Sequence, residues 1–267
     1  MNLINRKEVK NAKLIVVKVG SKILAPQRNN EHFLRFASIA KSISDLIDDG
    51  KKVILVSSGA VANGRAVLGL TEKPKSISLK QACAGVGQIE LMDLYRNEFN
   101  KYKKHIGQIL LCNDDLHEES RKLNLQNTLY AMLDNDIIPI LNENDSVCVQ
   151  EIKIGDNDTL ASKIAVLTRA DLFVILSDID GLYDANPQEN PNAEHISFVN
   201  EFTEELFAMA GGVGSDVGTG GMITKLTAAQ RVCKEGITAI VGDGYKNDLI
   251  SVINNSEFGT LFSLQNK

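Results

Sequence analysis

The sequence has 267 residues and a mass of 29.2 kDa, enough for one large domain or two small ones. Apolar residues make up 43% and charged residues 24%, so the chain can bury a substantial core and is not intrinsically disordered. The formal net charge is −5, no segment is densely basic, and the longest apolar runs are far shorter than a membrane span. These features argue against nucleic acid and membranes as principal partners.

Two further features of the sequence concern its cellular location. The polar N-terminal segment lacks the apolar stretch of a secretory signal, so we expect a cytoplasmic protein. The cysteines, Cys83, Cys112, Cys148 and Cys233, are widely separated and form no CxxC pair. We therefore expect buried, reduced thiols without a catalytic or metal-binding role.

Short apolar runs alternate with longer amphipathic stretches along the chain. The predicted order is strand 14–20, helix 31–49, strand 51–59, helical patterns through 98, strand 105–111, helix 115–133, strand 136–145, helix 159–169, strand 171–176, a helix after the glycines near 220, and strand 236–244. Such apolar strands are typical of a mainly parallel sheet buried by helices on both faces. The predicted fold class is α/β, a three-layer αβα sandwich.

Two segments interrupt this alternation. Residues 146–154 alternate like an exposed hairpin, and residues 181–198 contain Asn-Pro pairs that favour turns. Each follows the carboxyl end of a strand, where open α/β sheets bind ligands, so we expect lids or walls of a site. No repeat, low-complexity tract or linker marks a boundary, which favours a single domain, residues 1–267, with two lobes.

The common nucleotide-binding motifs are absent from the sequence. No glycine triplet has the GxGxxG or GxGxxA spacing, which disfavours a Rossmann dinucleotide site. The only Gly-Lys pair, Gly50 and Lys51, lacks the upstream glycine of a P-loop. Any chemistry must therefore come from other segments.

Two early strands end in residues that suit an anion. In VVKVGSKIL the strand carries Lys18 before a turn at Gly20, and burying a lysine is costly unless it faces an anion. The lysine can also simply reach solvent from the strand end. In VILVSSGAVANGR, Ser58 and Gly59 leave N–H groups open to an anion, although an ordinary helix cap would look the same.

The densest polar region lies between residues 141 and 162, around a predicted strand end and helix start. Carboxylates there can hold a substrate ammonium or orient lysines, and amides can hold a substrate carboxylate, which suits an amino acid better than a sugar. Each residue alone is also common in a solvated turn. The set comprises Asn142, Glu143, Asn144, Asp145, Asp156, Asn157 and Asp158.

Two later segments suit a nucleotide. VILSDIDGLYDANP places Ser177 and Asp178 at the end of a buried strand. The glycine-rich segment 211–230 runs into a helix that contains Lys225. Glycines let the backbone approach a phosphate closely, and a helix N-terminus adds positive potential.

Taken in order, KVGSKIL, VSSGAVANGR, NENDSV, KIGDNDTLAS, SDIDGLY and GTGGMITKLTAA resemble the amino-acid kinase family, and within it the glutamate kinases. The resemblance covers about residues 13–262. It implies ATP-dependent phosphorylation of the γ-carboxylate of L-glutamate to L-glutamyl 5-phosphate, the first step of proline biosynthesis, with Mg²⁺ held through the ATP phosphates. An ionised carboxylate needs no general base, which agrees with motifs rich in lysine and N–H groups.

The resemblance also implies roles for individual residues. Lys18 and Lys225 would neutralise the phosphoryl group, and Asp158 would hold their two ammonium groups. Gly155 would allow close backbone approach. The positions that match glutamate-binding residues are Ser58, Gly59, Asp145 and Asn157. The positions that match ATP-binding residues are Lys18, Gly20, Ser177, Asp178, Thr219, Gly220, Gly221, Met222, Ile223, Thr224 and Lys225.

At the level of the whole chain, the resemblance implies an N-terminal lobe of about residues 1–168 that binds the amino acid and a C-terminal lobe of about 169–267 that binds ATP. It further implies feedback inhibition by proline and a homo-oligomer, either a dimer or a tetramer. Ser57 and Ser177 stand where many members have Thr, which keeps the hydroxyl. We expect no appended RNA-binding-like (PUA) domain of the kind many bacterial members carry.

Two alternative functions remain open. One is another kinase of the same fold, acting on aspartate, acetylglutamate, carbamate or a nucleoside monophosphate such as UMP. The other is a non-catalytic sensor of amino acids or nucleotides, against which the presence of Lys18, Asp158 and Lys225 argues.

Overall fold

The computed structural model describes residues 9–26, 31–148, 157–187, 189–211, 221–255 and 258–264. The strands are β1 (Leu14–Val19), β2 (Lys52–Ser57), β3 (His105–Leu111), β4 (Ile137–Glu143), β5 (Leu172–Ser177), β6 (Leu182–Tyr183), β7 (His195–Ile196), β8 (Phe198–Val199), β9 (Thr238–Asp243) and β10 (Thr260–Phe262). The helices are α1 (Ser21–Leu24), α2 (Glu31–Asp48), α3 (Ala60–Val67), α4 (Ile77–Asn100), α5 (Glu119–Asp134), α6 (Asn157–Leu167), α7 (Glu204–Ala210), α8 (Met222–Lys234) and α9 (Leu249–Asn254). A 3₁₀ helix covers Asn113–Leu116.

The described strands form a main sheet in the order β3-β4-β2-β1-β5-β9-β10-β8. From β3 to β9 all neighbours are parallel, and β10 then pairs antiparallel with β9 and parallel with β8. Strands β6 and β7 form a separate antiparallel pair. The predicted three-layer αβα sandwich with a mainly parallel sheet is confirmed.

Two apolar cores lie on opposite faces of this sheet. The first contains Ile15 and Val17 of β1 together with side chains of α2, α4 and α9. The second contains Val16 together with side chains of α5, α6 and α8. Because side chains alternate between faces along a strand, Lys18 falls on the second face. Its ammonium group therefore lies on the side where α6 and α8 pack.

Helices α3 and α4 pack with their backbones in close contact. A Cβ atom on Gly64 would lie 1.8 Å from the carbonyl oxygen of Cys83, and one on Gly87 would lie 1.8 Å from the carbonyl oxygen of Ala60. Real Cβ atoms do not approach other atoms so closely, so both positions require glycine. This contact fixes α3, which begins directly after the Ser58–Gly59 turn, against the long helix α4.

Most sequence-predicted elements are present with boundaries shifted by a few residues. The predicted helix 115–133 divides into the 3₁₀ turn and α5. The pattern did not reveal the short elements β6, β7, β8, β10, α1, α7 and α9. Residues 181–198 contain the β6–β7 pair, whereas most of the expected hairpin at 146–154 lies outside the described residues. None of the described helices is both long and apolar enough to cross a bilayer.

Candidate active site

The candidate site lies at the carboxyl edge of the parallel sheet. Strands β1, β2, β4, β5 and β9 all end at this edge because they run in one direction. Open α/β sheets bind ligands at such an edge. The turns that follow these strands carry most of the residues that the sequence singled out.

Asp158 lies between the two predicted catalytic lysines. Its Oδ1 is 2.5 Å from Nζ of Lys18, and its Oδ2 is 3.1 Å from Nζ of Lys225. All three residues are buried, with exposed fractions of 0% for Asp158, 5% for Lys18 and 2% for Lys225. The structure thus brings the three predicted catalytic residues into direct contact.

Three different elements supply this cluster. Lys18 comes from β1, Asp158 from the first turn of α6, and Lys225 from the first turn of α8. Thr224 fixes the carboxylate further, because its Oγ1 lies 2.8 Å from Oδ2 of Asp158 and 2.8 Å from the carbonyl oxygen of Gly221, and the two acceptors share its single hydroxyl proton. The start of α8 is therefore tied to the start of α6.

The electrostatics of the cluster favour an ionised Asp158. Burial raises the pKa of this carboxyl group, but Lys18 and Lys225 outweigh that effect and hold the pKa below its ordinary value. The three side chains together then carry a net positive charge in a buried environment, where charge interactions are poorly screened. Such a cluster attracts an anion.

A second polar cluster is built from amide side chains. Nδ2 of Asn157 donates to Oγ of Ser58 at 2.6 Å and to Oδ1 of Asn142 at 2.9 Å. Nδ2 of Asn142 in turn donates to Oε1 of Gln88 at 3.0 Å. This chain of hydrogen bonds links α6, the turn after β2, the end of β4 and α4.

The carbonyl oxygen of the Asn157 side chain has a distinct environment. Oδ1 of Asn157 is buried and has no hydrogen-bond partner within the part of the chain that the structure describes. A buried acceptor without a partner is costly, so such groups usually serve a ligand or bound water. The atom is therefore available to accept from a substrate N–H group.

The turn after β2 depends on Gly59, which has a φ of 110° and caps α3. This left-handed conformation is readily adopted by glycine and disfavoured in other residues. The N–H of Ser58 donates to the carbonyl oxygen of Val19 at 3.2 Å, which holds the turn beside the end of β1. Ser58 and Gly59 thus lie next to the segment that carries Lys18.

On the other side of β1, Ser177 is the last residue of β5 and Asp178 follows it. Gly20 is close by, since its N–H donates to the carbonyl oxygen of Leu176 at 3.0 Å. Oδ2 of Asp178 accepts from Nζ of Lys22 at 2.6 Å. Partial burial raises the pKa of Asp178, but its hydrogen bond with Lys22 helps to hold it below the ordinary value.

The remaining predicted site residues are placed less completely. Asp145 lies in the turn directly after β4 and is half-buried. Gly221, Met222 and Ile223 begin or precede α8, beside Thr224. Four of the positions singled out in the sequence lie outside the described residues: Gly155, Asp156, Thr219 and Gly220.

Sequence reasoning missed several residues that shape this edge. Gln88 orders the amide chain from inside α4, and Lys22 pairs with Asp178. Asp243 ends β9, where its Oδ1 accepts from the N–H of Tyr245 at 2.6 Å. A polar residue on the buried side of a helix is a sequence signal that points to Gln88. The pairing of Lys22 with Asp178 leaves no such signal, because the two residues are far apart in the sequence.

A protein-held metal centre is not evident in the described ranges, where no group of three or more His, Cys, Asp and Glu side chains is placed to bind a metal ion. Both carboxylate oxygens of Asp158 already face cations or a hydroxyl group.

Comparisons with known proteins agree with this architecture. The family model described as the amino acid kinase family matches residues 13–243. The chain is 48% identical to the glutamate 5-kinase of Clostridium acetobutylicum over 262 residues, covering 98% of each chain. It is 46% identical to the glutamate 5-kinase of Clostridium tetani, covering 97% of this chain and 98% of that one.

A solved structure shares the fold at low sequence identity. The carbamate kinase of Giardia lamblia bound to AMP-PNP aligns with a TM-score of 0.62 and 14% identity, over 95% of this chain and 99% of that chain. At this identity the match concerns the fold alone. The family model and the two relatives establish that the chain belongs to the amino acid kinase family.

Proposed function

We propose that this protein transfers the γ-phosphoryl group of ATP to the γ-carboxylate of L-glutamate. The product is L-glutamyl 5-phosphate, and the reaction opens proline biosynthesis. The observation that carries the proposal is the buried Lys18–Asp158–Lys225 cluster at the sheet edge of a chain that resembles glutamate 5-kinases along almost its whole length.

The lysines provide the charge that phosphoryl transfer requires. In the transition state, negative charge is spread over the oxygens of the transferring group, and preorganised cations stabilise it. Lys18 and Lys225 approach from two elements and are held in place by Asp158. Asp158 acts as a positioning residue rather than as a base, because the γ-carboxylate of glutamate is already ionised at neutral pH.

The turns after β2 and β4 would bind glutamate. Oδ1 of Asn157 is suited to accept from the substrate ammonium group, and Asp145 would add a negative charge for the same group. In the Ser58–Gly59 turn, the N–H of Gly59 would hold a substrate carboxylate, whereas the N–H of Ser58 already donates to the carbonyl oxygen of Val19. These assignments place the amino acid in the lobe of about residues 1–168.

The turns after β1 and β5 and the start of α8 would bind ATP. Gly20, Ser177 and Asp178 lie together there, and the loop Thr219–Lys225 would contact the phosphates. Mg²⁺ would arrive bound to the ATP phosphates and neutralise part of their charge. Apart from Gly20, which belongs to the N-terminal lobe, these residues would bind the nucleotide in the lobe of about residues 169–267, within one kinase domain.

Regulation, assembly and location form part of the same proposal. We expect proline to compete with glutamate and the chain to form a dimer or a tetramer. We also expect a cytoplasmic enzyme, since four cysteines held as free thiols suit a reducing compartment.

Initial rates at several glutamate concentrations test inhibition by proline. Added proline should raise KM for glutamate, and rates that do not change with proline would exclude this inhibition.

The direct test of the reaction is ADP formation with Mg-ATP and a panel of acceptors, with hydroxylamine present to trap acyl phosphates. The panel contains L-glutamate, L-aspartate, N-acetyl-L-glutamate, carbamate and UMP. We expect turnover and a hydroxamate with glutamate. Turnover with another acceptor but not with glutamate would reassign the substrate, and no turnover with any acceptor would favour a sensor.

A further inference from the structure

Two cysteines that are distant in sequence meet beside the proposed glutamate site. Sγ of Cys112 and Sγ of Cys148 lie 2.6 Å apart, and both residues are free thiols in the structure. The wide separation of the cysteines in the sequence gives no sign of this contact. The distance between the two sulfur atoms is close to the length of a disulfide bond, about 2.05 Å.

The pair joins two turns at the carboxyl edge of the sheet. Cys112 follows β3, and its N–H donates to Oδ2 of Asp115 at 2.7 Å. Cys148 closes the turn after β4, and its N–H donates to the carbonyl oxygen of Asn144 at 3.0 Å. The same turn contains Asp145, which we place in the glutamate site.

The exposure of the two thiols differs. Cys112 is partly exposed, whereas Cys148 is only 7% exposed. Burial raises the pKa of Cys148 to about 12, so this residue stays protonated at neutral pH. An oxidant would therefore react first at Cys112, and Cys148 is placed to resolve the product.

We propose that Cys112 and Cys148 form a reversible intramolecular disulfide that restrains the turn carrying Asp145 and weakens glutamate binding. The effect on glutamate rests on the proposed function, whereas formation of the disulfide does not. The oxidant is a peroxide or a small-molecule disulfide. Cytosolic disulfides are usually transient and redox-sensing, as this one would be.

The chemistry balances with hydrogen peroxide as oxidant. The Cys112 sulfur attacks the O–O bond, which gives a sulfenic acid and releases one water molecule. The Cys148 sulfur then displaces the hydroxyl group from that sulfenic acid, forming the S–S bond, and the hydroxyl leaves with the Cys148 proton as a second water. The two thiols lose two electrons and two protons, and the peroxide is reduced to water.

The effect on the site follows from how the turn is built. The carbonyl oxygen of Asn144 accepts from the N–H groups of both Val147 and Cys148, and the N–H of Asn144 donates to the carbonyl oxygen of Leu111 at 2.8 Å. A disulfide at Cys148 would restrain the end of this short turn, whose start is already held by the hydrogen bond from Asn144 to Leu111. Asp145 could then adjust less to the substrate ammonium group.

The first test is a peptide map of the full chain under non-reducing conditions, after treatment with hydrogen peroxide and, separately, with oxidised glutathione. We expect a linked peptide pair containing Cys112 and Cys148, lighter by two hydrogen atoms and separated by dithiothreitol. The Cys112→Ser variant should lack this pair. The matched control Cys233→Ala, which changes a cysteine of α8, should retain it.

The second test measures glutamate kinetics on the same samples. Oxidation should raise KM for glutamate by roughly 3-fold or more with KM for ATP unchanged, because misplacing one binding group weakens substrate alignment. Dithiothreitol should reverse the effect, and Cys112→Ser should not respond to the oxidant.

Each contrary result bears on a different part of the proposal. A map without the Cys112–Cys148 link in the oxidised wild-type chain would overturn the disulfide. A link with unchanged KM for glutamate would overturn its regulatory effect. A link in a chain that never phosphorylates glutamate would support the disulfide and overturn the proposed function instead.

Discussion

At the scale of single residues, the central feature is one buried carboxylate that holds two buried ammonium groups. Asp158 contacts Lys18, Lys225 and Thr224, which belong to β1 and the first turn of α8. Leaving a buried charge without its partner costs about 3–5 kcal/mol, so each member of the cluster depends on the others. The cluster therefore serves both local stability and the proposed chemistry.

Replacing Lys225 should damage the reaction far more than the fold. In Lys225→Met the side chain keeps its length but loses its charge, while Lys18 still pairs with Asp158. We expect kcat to fall by roughly 10²-fold or more, as when one preorganised charge-stabilising donor is lost. The control Lys234→Ala, an exposed lysine of the same helix, should behave like the wild type. Near-normal kcat in Lys225→Met would remove this lysine from the mechanism.

Asp145 should contribute mainly to binding. If it attracts the substrate ammonium group equally in the ground state and the transition state, Asp145→Ala raises KM for glutamate more than it lowers kcat. Steady-state kinetics at saturating ATP measure both constants. Ser146→Ala, an exposed change in the same turn, is the control. An unchanged KM in Asp145→Ala would refute the assignment.

Asp158 should also make stability depend on pH. Its pKa is lower in the folded chain than in the unfolded chain, so the unfolded state takes up a proton first as the pH falls. The resulting stabilisation is present above about pH 4 and is lost as the pH drops toward the folded pKa.

Urea unfolding at pH 7 and at lower pH tests this linkage. The wild type should lose more free energy of unfolding on acidification than Asp158→Asn, which has no carboxyl group to titrate there. The exposed control Asp49→Asn should follow the wild type. Equal losses in the wild type and Asp158→Asn would contradict the ion-pair account.

At the scale of elements, the glycine contact between α3 and α4 sets the position of the Ser58–Gly59 turn. Gly87→Ala forces a Cβ atom against the backbone of Ala60, which should lower the free energy of unfolding by about 1–3 kcal/mol or more. Gly85→Ala, in the same helix, meets only Oγ of Ser146 at 3.4 Å and should stay within about 1 kcal/mol of the wild type. Equal denaturation midpoints for the two variants would contradict this packing.

The elements were largely predictable from sequence, whereas the contacts between them were not. Apolar runs such as Leu172–Ser177 have few alternatives to a buried strand, because they lack the polar face of a surface helix. The antiparallel β10 is short, and its pairing depends on distant partners. Gln88 and the Cys112–Cys148 contact likewise depend on residues far away in sequence, which periodicity does not reveal.

At the scale of the whole molecule, one parallel sheet brings distant segments to a single edge. Lys18, Asp158 and Lys225 meet there although they are far apart in the sequence. Each lies in a strand of the sheet or in a helix packed against it, and the sheet fixes the direction of these elements. The candidate catalytic residues are predicted from the resemblance to a family, and the structure shows why their wide spacing in sequence is compatible with direct contact. The division of substrates between two lobes stays a prediction.

The central claim is that a carboxylate oxygen of glutamate attacks the γ-phosphorus of ATP, and an isotope experiment tests it most directly. Glutamate labelled with ¹⁸O in its γ-carboxylate is incubated with Mg-ATP, enzyme and hydroxylamine, and the released phosphate is analysed by mass spectrometry. Hydroxylamine attacks the acyl carbon, so the bridging oxygen leaves with the phosphate. We predict phosphate that carries one ¹⁸O atom from glutamate. Phosphate without the label would mean transfer to water and would contradict the account.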